Sequence, residues 1–364
     1  MSIFANYTRD AFVLGAGFSI AIARTMPSTD VLGDRVLSSQ RSIHAGSAER
    51  HSSKCDGLSC DYPVLGADGV PKPTFELWLS TLAEPQPHLF EPENDRRRAL
   101  FGELSGLIAL NVERAVQLTV KEGGPPEWLN KLVTHWNNTR ADVITFNYDT
   151  LIEATVDSLD LLAPYPPKGD AIPLKSKMLG PSVVPSFRTV LEGPRVPPAD
   201  SFWYRKLHGS THWYWDDTTR SAESIVQVGV RYHWNDEFPV YNDFELRDYI
   251  APGKVPLIVP PTTGKSSYFE NPIIRFLWRD AFAALAAAPR VFVIGYSLPQ
   301  ADLLVRSLLG MALGDSDVWL VNPDAQVADR FSELGVGTLH TEFCGSPVDM
   351  NDVVSFCVDL WMNA

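Results

Sequence analysis

Phe12-Val-Leu14, followed by Gly15-Ala-Gly-Phe-Ser19, decides how the rest of the chain is read. The apolar run predicts a buried strand, and the glycines predict a tight turn into a helix. Glycine carries no Cβ, so backbone at such a turn can approach a phosphate closely. A helix starting near Ser19 would aim free N–H groups and its positive dipole end at that phosphate. The dinucleotide fingerprint needs a third glycine where this chain has Ile20. Taken alone, the stretch reads equally well as a plain strand-to-helix turn.

The whole chain sets the frame. Its 364 residues, 45% hydrophobic and 21% charged, suit one large domain or two modest ones with a full core. No apolar run approaches the roughly 20 residues of a transmembrane helix. Met1 to Asp10 lacks the charged and apolar regions of a secretory signal. Cysteines only at 55, 60, 344 and 357 suit a reducing cytoplasm rather than a disulfide framework. A net charge of −13 argues against broad direct binding to nucleic acid.

Working outward from the glycine turn, Val31 to Leu37 predicts a helix, and residues 38–73, rich in Ser, Gly and His, predict a long surface loop. His51, Cys55 and Cys60 lie in it, but C-x4-C without a second close pair is a poor zinc pattern, so no metal is expected. Leu100, Leu104, Ile108 and Val112 recur every four residues within a helical stretch from Phe75 to Val120. Trp128, Leu132 and Trp136 predict another helix. Val143-Ile-Thr-Phe146 predicts the second strand, running into Asn147-Tyr-Asp-Thr-Leu151, where Thr150 and Glu153 have capping-box spacing.

Residues 160–200 are crowded with proline, which forbids long regular elements. Tyr204 to Leu207 predicts a strand ending in His208-Gly-Ser210. Trp213–Trp215, Ile225–Val230 and Arg231–Trp234 predict short strands of an added β region, followed by Leu257–Val259. Gly264-Lys265 lacks the spaced upstream glycine of a P-loop. Pro272 to Ala288 is an amphipathic helix, and Arg290 to Ile294 a buried strand closed by Gly295-Tyr-Ser-Leu298. Pro299 suits the first turn of a helix running to about Leu313. Val318 to Val321 is a strand closed by Asn322-Pro323 with a helix after it, and Thr338–His340 is the last short strand.

Strands alternating with helices predict an α/β fold: a Rossmann-like parallel sheet with helices on both faces, in a single domain over 1–364. Insertions are expected at about 38–135, of loop and helices, and at 160–256, proline-rich and β-rich. Ligands bind such sheets beyond the carboxyl ends of the strands. Those ends carry Gly15–Ser19, Asn147–Asp149, His208–Ser210, Gly295–Ser297 and Asn322, and their convergence says more than any one motif.

In this order, Gly15-Ala-Gly-Phe-Ser19, Thr145-Phe-Asn-Tyr-Asp149, Leu207-His-Gly-Ser210, Gly295-Tyr-Ser297 and Asn322 resemble the sirtuin motifs, over about residues 10–345. Thr-Phe-Asn-Tyr-Asp-Thr-Leu and Ile-Gly-Tyr-Ser-Leu-Pro are similar to the bacterial sirtuin-like branch, whose members act in antiphage defence as NAD hydrolases. Two departures stand out. The chain has no cysteine between His208 and Gly295, so the four-cysteine zinc module of sirtuin deacetylases is absent. Met26-Pro-Ser-Thr-Asp30 does not reproduce their Asp-Phe-Arg signature. Both speak against protein deacetylation and leave NAD+ cleavage untouched.

The resemblance implies roles. His208 would be the general base on the nicotinamide ribose or the attacking water, its imidazole suited to neutral pH; otherwise it is a histidine satisfied in a turn. Asn147 would bond the ribose or position water, and Asp149 would hold the loop or ribose; otherwise they are a turn residue and a helix cap. Gly15, Ala16, Gly17 and Ser19 would cradle the pyrophosphate. Gly295 and Ser297 would lie along the phosphates and adenosine ribose, and Asn322 would contact that ribose or cap a helix. Phe343 or Cys344 would flank the adenine. His212 and the tryptophans of 203–234 are expected to be structural.

The expected activity is NAD+ glycohydrolase, releasing nicotinamide and ADP-ribose and so draining cellular NAD+. Such an activity needs restraint, by homo-oligomerisation or by a partner such as a hexameric translocase-type ATPase or a short Argonaute. The competing reading is a non-catalytic sensor or scaffold that binds NAD+ or ADP-ribose; a deacetylase or ADP-ribosyltransferase comes third.

Overall fold

Every side chain of β1 (Ala11–Leu14) is apolar and fully buried. The computed structural model describes residues 9–46, 75–159, 161, 188–189, 201–216, 226–227, 234, 253–262, 271–300 and 302–362. After β1 come α1 (Ala16–Ile22), α2 (Thr29–Gly46), α3 (Phe75–Ala83), α4 (Glu91–Glu122), α5 (Glu127–Thr139), β2 (Asp142–Thr145) and α6 (Leu151–Ser158). Then follow β3 (Arg188–Thr189), β4 (Trp203–Lys206), β5 (Gly209–Trp215), β6 (Val226–Gln227) and β7 (Val255–Ile258). The chain continues through α7 (Pro272–Ala287), β8 (Arg290–Ile294), α8 (Leu303–Ala312), β9 (Asp317–Asn322), α9 (Gln326–Ser332), β10 (Thr338–Cys344) and α10 (Met350–Met362).

Six of the strands form one parallel sheet in the order β10-β9-β8-β1-β2-β4. Read from β4, this is the 3-2-1-4-5-6 order of a doubly wound Rossmann sheet, with the direction of winding reversing between β1 and β8. The α/β architecture expected from the sequence is the one observed. Alternate side chains of β1 enter opposite cores, as a strand covered on both faces requires. Phe12 and Leu14 join α1 to α6 and α10 on one face; Ala11 and Val13 join α7, α8 and α9 on the other. Across the first face runs an in-register aromatic ladder. Phe12 stacks on Phe292 at 5.0 Å, Phe292 on Trp319 at 5.1 Å, and Trp319 on His340 at 4.2 Å with the rings 4° apart.

A second sheet, β3-β6-β5-β7, is antiparallel about β5, the strand that follows β4. Trp213, Trp215 and Trp234 are buried, and the Trp234 indole donates to Thr155 Oγ1 at 3.0 Å. These tryptophans are core, as expected, and His212 is buried within β5.

The sequence reading needs five corrections. Residues 38–46 are the last turns of α2, not loop: Ser38 and Ser39 satisfy their hydroxyls on the carbonyls of Asp34 and Arg35, so the serines do not break the helix. His51, Cys55 and Cys60 lie outside the described residues, as do most of 160–200 and the Gly264-Lys265 loop. The Thr150–Glu153 capping box does not form, because Asp149 accepts from Leu151 N–H and Glu153 pairs with Lys206. The helix after β8 starts at Leu303 rather than at Pro299, because Leu298 turns the chain with φ +49°. β5 begins at Gly209, so the Ser210–His212 stretch is strand, and β10 runs on to Cys344. Among the described residues no helix is long and apolar enough to cross a membrane.

Candidate functional site

The carboxyl ends of β1 and β8 meet at the point where the winding reverses. Their glycines serve that meeting. Gly295 has φ +66°, and a Cβ there would lie 2.2 Å from Phe18 N; a Cβ on Gly15 would lie 2.5 Å from Tyr296 Cα. Gly15 N–H donates to Ile294 O at 3.0 Å, and Gly17 N–H to Gly295 O at 2.9 Å. Phe18 N–H turns back to Gly15 O. The phosphate cradle expected over Gly15–Ser19 is therefore narrower than the motif suggested. Two first-turn donors of the seven-residue α1 are already taken, and Ala16 N–H has no backbone partner among the described residues.

Beyond β2 the arrangement is different in kind. Ser19 is buried and donates to Asp149 Oδ2 at 2.6 Å. Asn147 Nδ2 donates both to Gly15 O at 2.8 Å and to Ser19 Oγ at 2.9 Å. Gly15 O can only accept, which fixes the amide orientation and leaves Asn147 Oδ1 as the acceptor without a partner among the described residues. Ser19, Asn147 and Asp149 thus form one locked unit, and Asp149 also holds the start of α6. Ser19, read from the sequence as a pyrophosphate ligand, has its hydroxyl engaged inside this unit.

His208 occupies the turn between β4 and β5. Gly209 makes the turn possible: its φ is +79°, and a Cβ would meet Leu257 O at 2.1 Å. His208 O accepts from Val259 N–H at 2.8 Å, which pins the turn to the end of β7. The imidazole is buried among aromatic rings, 5.1 Å from Phe146, 6.4 Å from Tyr148 and 6.2 Å from Trp278. His208 therefore packs against the rings of both chain neighbours of Asn147. The Phe146 ring also lies 4.7 Å from that of Tyr296. Burial, followed by the nearby Asp302 carboxylate that accepts from its hydroxyl, holds the Tyr296 phenol well above its ordinary range, so it stays a neutral donor.

Lys206 is the residue that sequence reasoning missed. Its side chain is almost wholly buried, and its ammonium donates to Tyr148 O, to Asp149 O and to Glu153 Oε1 at 2.9 Å. Burial raises the Glu153 carboxyl, and the Lys206 charge opposes that shift. The signal was available: a charge in a strand of a sheet expected to carry helices on both faces needs partners.

The adenosine-side expectations divide. Gly295 and Asn322 lie at adjoining strand ends, where Asn322 Nδ2 reaches Tyr296 O at 3.4 Å. Asn322 Oδ1 accepts from Asp324 N–H at 3.0 Å, so Asn322 shapes the turn before α9 but is not its cap; that position is Ala325. Ser297 is exposed, and its carbonyl accepts from Arg330. Phe343 packs on Phe356 of α10 at 5.4 Å, while Cys344 Sγ lies against Asp324 O. Among the described residues no group of three or more His, Cys, Asp or Glu side chains could hold a metal ion. The chain matches no protein-family model and no curated protein sequence.

Proposed function

We propose that the carboxyl end of the parallel sheet binds NAD+ and hydrolyses its nicotinamide–ribose bond. The observation that carries this reading is the locked Ser19–Asn147–Asp149 unit beside His208, at the switch point where such sheets take nucleotides. Among the described residues it leaves an uncharged acceptor, Asn147 Oδ1, suited to holding an O–H of water or ribose without placing a second charge near the reacting carbon.

In the step, the bond between ribose C1′ and the nicotinamide nitrogen breaks, and the electron pair leaves with neutral nicotinamide. An oxocarbenium-like carbon remains. Water bonded to Asn147 Oδ1 adds to it, and His208 takes the water's proton, giving ADP-ribose. The aromatic wall around His208 keeps bulk water off that face. The motif order supports assignment to the bacterial sirtuin-like branch and hence a role in antiphage defence. Restraint then comes from self-assembly or a partner protein, and a reducing cytoplasm suits the free thiols of Cys344 and Cys357.

The test is nicotinamide release from NAD+ by the purified protein, alone and with the neighbouring gene's product, beside Asn147→Ala and His208→Ala. Release by wild type, reduced at least about 100-fold in each variant, is expected. NAD+ binding with no release under either condition would replace the hydrolase by a sensor.

A further inference from the structure

We propose that Lys206 is a positioning residue: its buried ammonium grips the backbone of the Asn147–Asp149 loop and so sets Asn147 relative to His208. The inference rests on the hydrolase reading of this site. A lysine ammonium has three N–H donors and no acceptor. Here they meet two main-chain carbonyls, of Tyr148 and Asp149, and one carboxylate, of Glu153 on α6. Two of the three partners are thus peptide groups of the segment that carries Asn147.

The same strand end governs His208. Lys206 is the last residue of β4, and His208 follows two residues later in the turn to β5. One short piece of chain therefore fixes the imidazole through its backbone and the carboxamide loop through Nζ. The first residues of β5 add to the grip: Thr211 N–H also donates to Tyr148 O, at 3.1 Å. The Tyr148 hydroxyl ties the far side of the loop to Val259 O at 2.6 Å. A plain ion pair would need only Glu153. The carbonyl contacts are what the proposal turns on, since misplacing a reacting group by about 1 Å can cost about 100-fold in rate.

Two double variants separate the grip from the charge pair. Lys206→Met with Glu153→Gln removes both charges and every donor at Nζ. Lys206→Gln with Glu153→Gln also removes both charges but keeps an N–H donor for the carbonyls. Steady-state nicotinamide release, thermal midpoint, and amide hydrogen exchange of the 145–151 peptide are read for each.

The Met variant is expected to lose about 100-fold in kcat with KM within about threefold of wild type. The Gln variant should recover at least about tenfold of that loss. Exchange should rise in 145–151 of the Met variant and stay unchanged in the β8 and β9 peptides. A folded Met variant with wild-type kcat and exchange overturns the proposal, as do equal defects in both variants. Unfolding of both also overturns it, by making Lys206 a matter of global stability. If wild type itself turns over no NAD+, the hydrolase reading fails, while the exchange comparison still decides whether Lys206 holds the loop.

Discussion

The two ends of the parallel sheet treat polar groups in opposite ways. At the amino end, charges are closed on one another. Arg290 Nε and Nη2 bond Asp10 at 2.7 and 3.0 Å, and Arg205 bridges Asp142 and Asp280 at 2.6 Å each. Burial alone would lower the Arg205 guanidinium, but the two carboxylates outweigh it and hold it above its ordinary value. At the carboxyl end the Lys206–Glu153 pair is closed as well, but Asn147 Oδ1 keeps an acceptor with no partner among the described residues. The amino end has the form of a device for stability; the carboxyl end keeps a group that no other described residue uses.

The sharpest way to break this contrast is Arg205→Met. It strands two carboxylates and should cost about 3–5 kcal/mol in the urea unfolding free energy, with kcat unchanged in the folded fraction. Only a small loss of stability would mean that the amino end is not what holds the sheet. Next is Gly295→Ala, the carboxyl-end position where backbone and not chemistry dictates the residue. A Cβ 2.2 Å from Phe18 N at positive φ should cost about 3 kcal/mol in the same unfolding measurement.

Ser19→Ala sharpens the picture from the other side. Stability should fall by only about 1 kcal/mol, while kcat falls about tenfold or more with KM little changed. A raised KM with unchanged kcat would return Ser19 to the phosphate-binding role read from the sequence.

The smallest effect is expected at the amino end, on the acid side. Burial pushes the His135 imidazole below its ordinary 6.5; Asp10 opposes this and Arg290 adds to it. The unfolded chain therefore binds the proton first, so this contribution to stability is complete above about pH 6.5 and shrinks as pH falls toward the folded-state value. His135→Phe should flatten that limb of the pH–stability curve, measured by denaturant midpoint across the range.

Much of this was legible because it is local. Phe12–Leu14, Val143–Ile144 and Val291–Ile294 are apolar throughout, which is how strands covered on both faces read, and glycines mark the turns after β1 and β8. Asn147, Asp149 and His208 were legible as polar residues at those ends. What could not be read was set by contacts distant in sequence. Ser19 belongs to Asn147 and Asp149, over a hundred residues away. Ser210, Thr211 and His212 look like loop, yet they are buried strand, lying between Gly209, which pairs with β7, and Trp213 and Tyr214, which pair with β6. α10 is not among the predicted elements, although Val353, Val354 and Cys357 have helical spacing.

The aromatic ladder has a use as an optical gauge. Trp319 lies face to face with His340 on β10, the last strand of the sheet on that side. The indole leaves its stacked partner when β10 leaves the sheet, and its emission changes with that loss of packing. The difference in fluorescence between wild type and Trp319→Phe, followed through a denaturant titration, therefore reports whether β10 is still seated against β9. That gives a signal for fraying at the sheet's edge, separate from the melting of its centre.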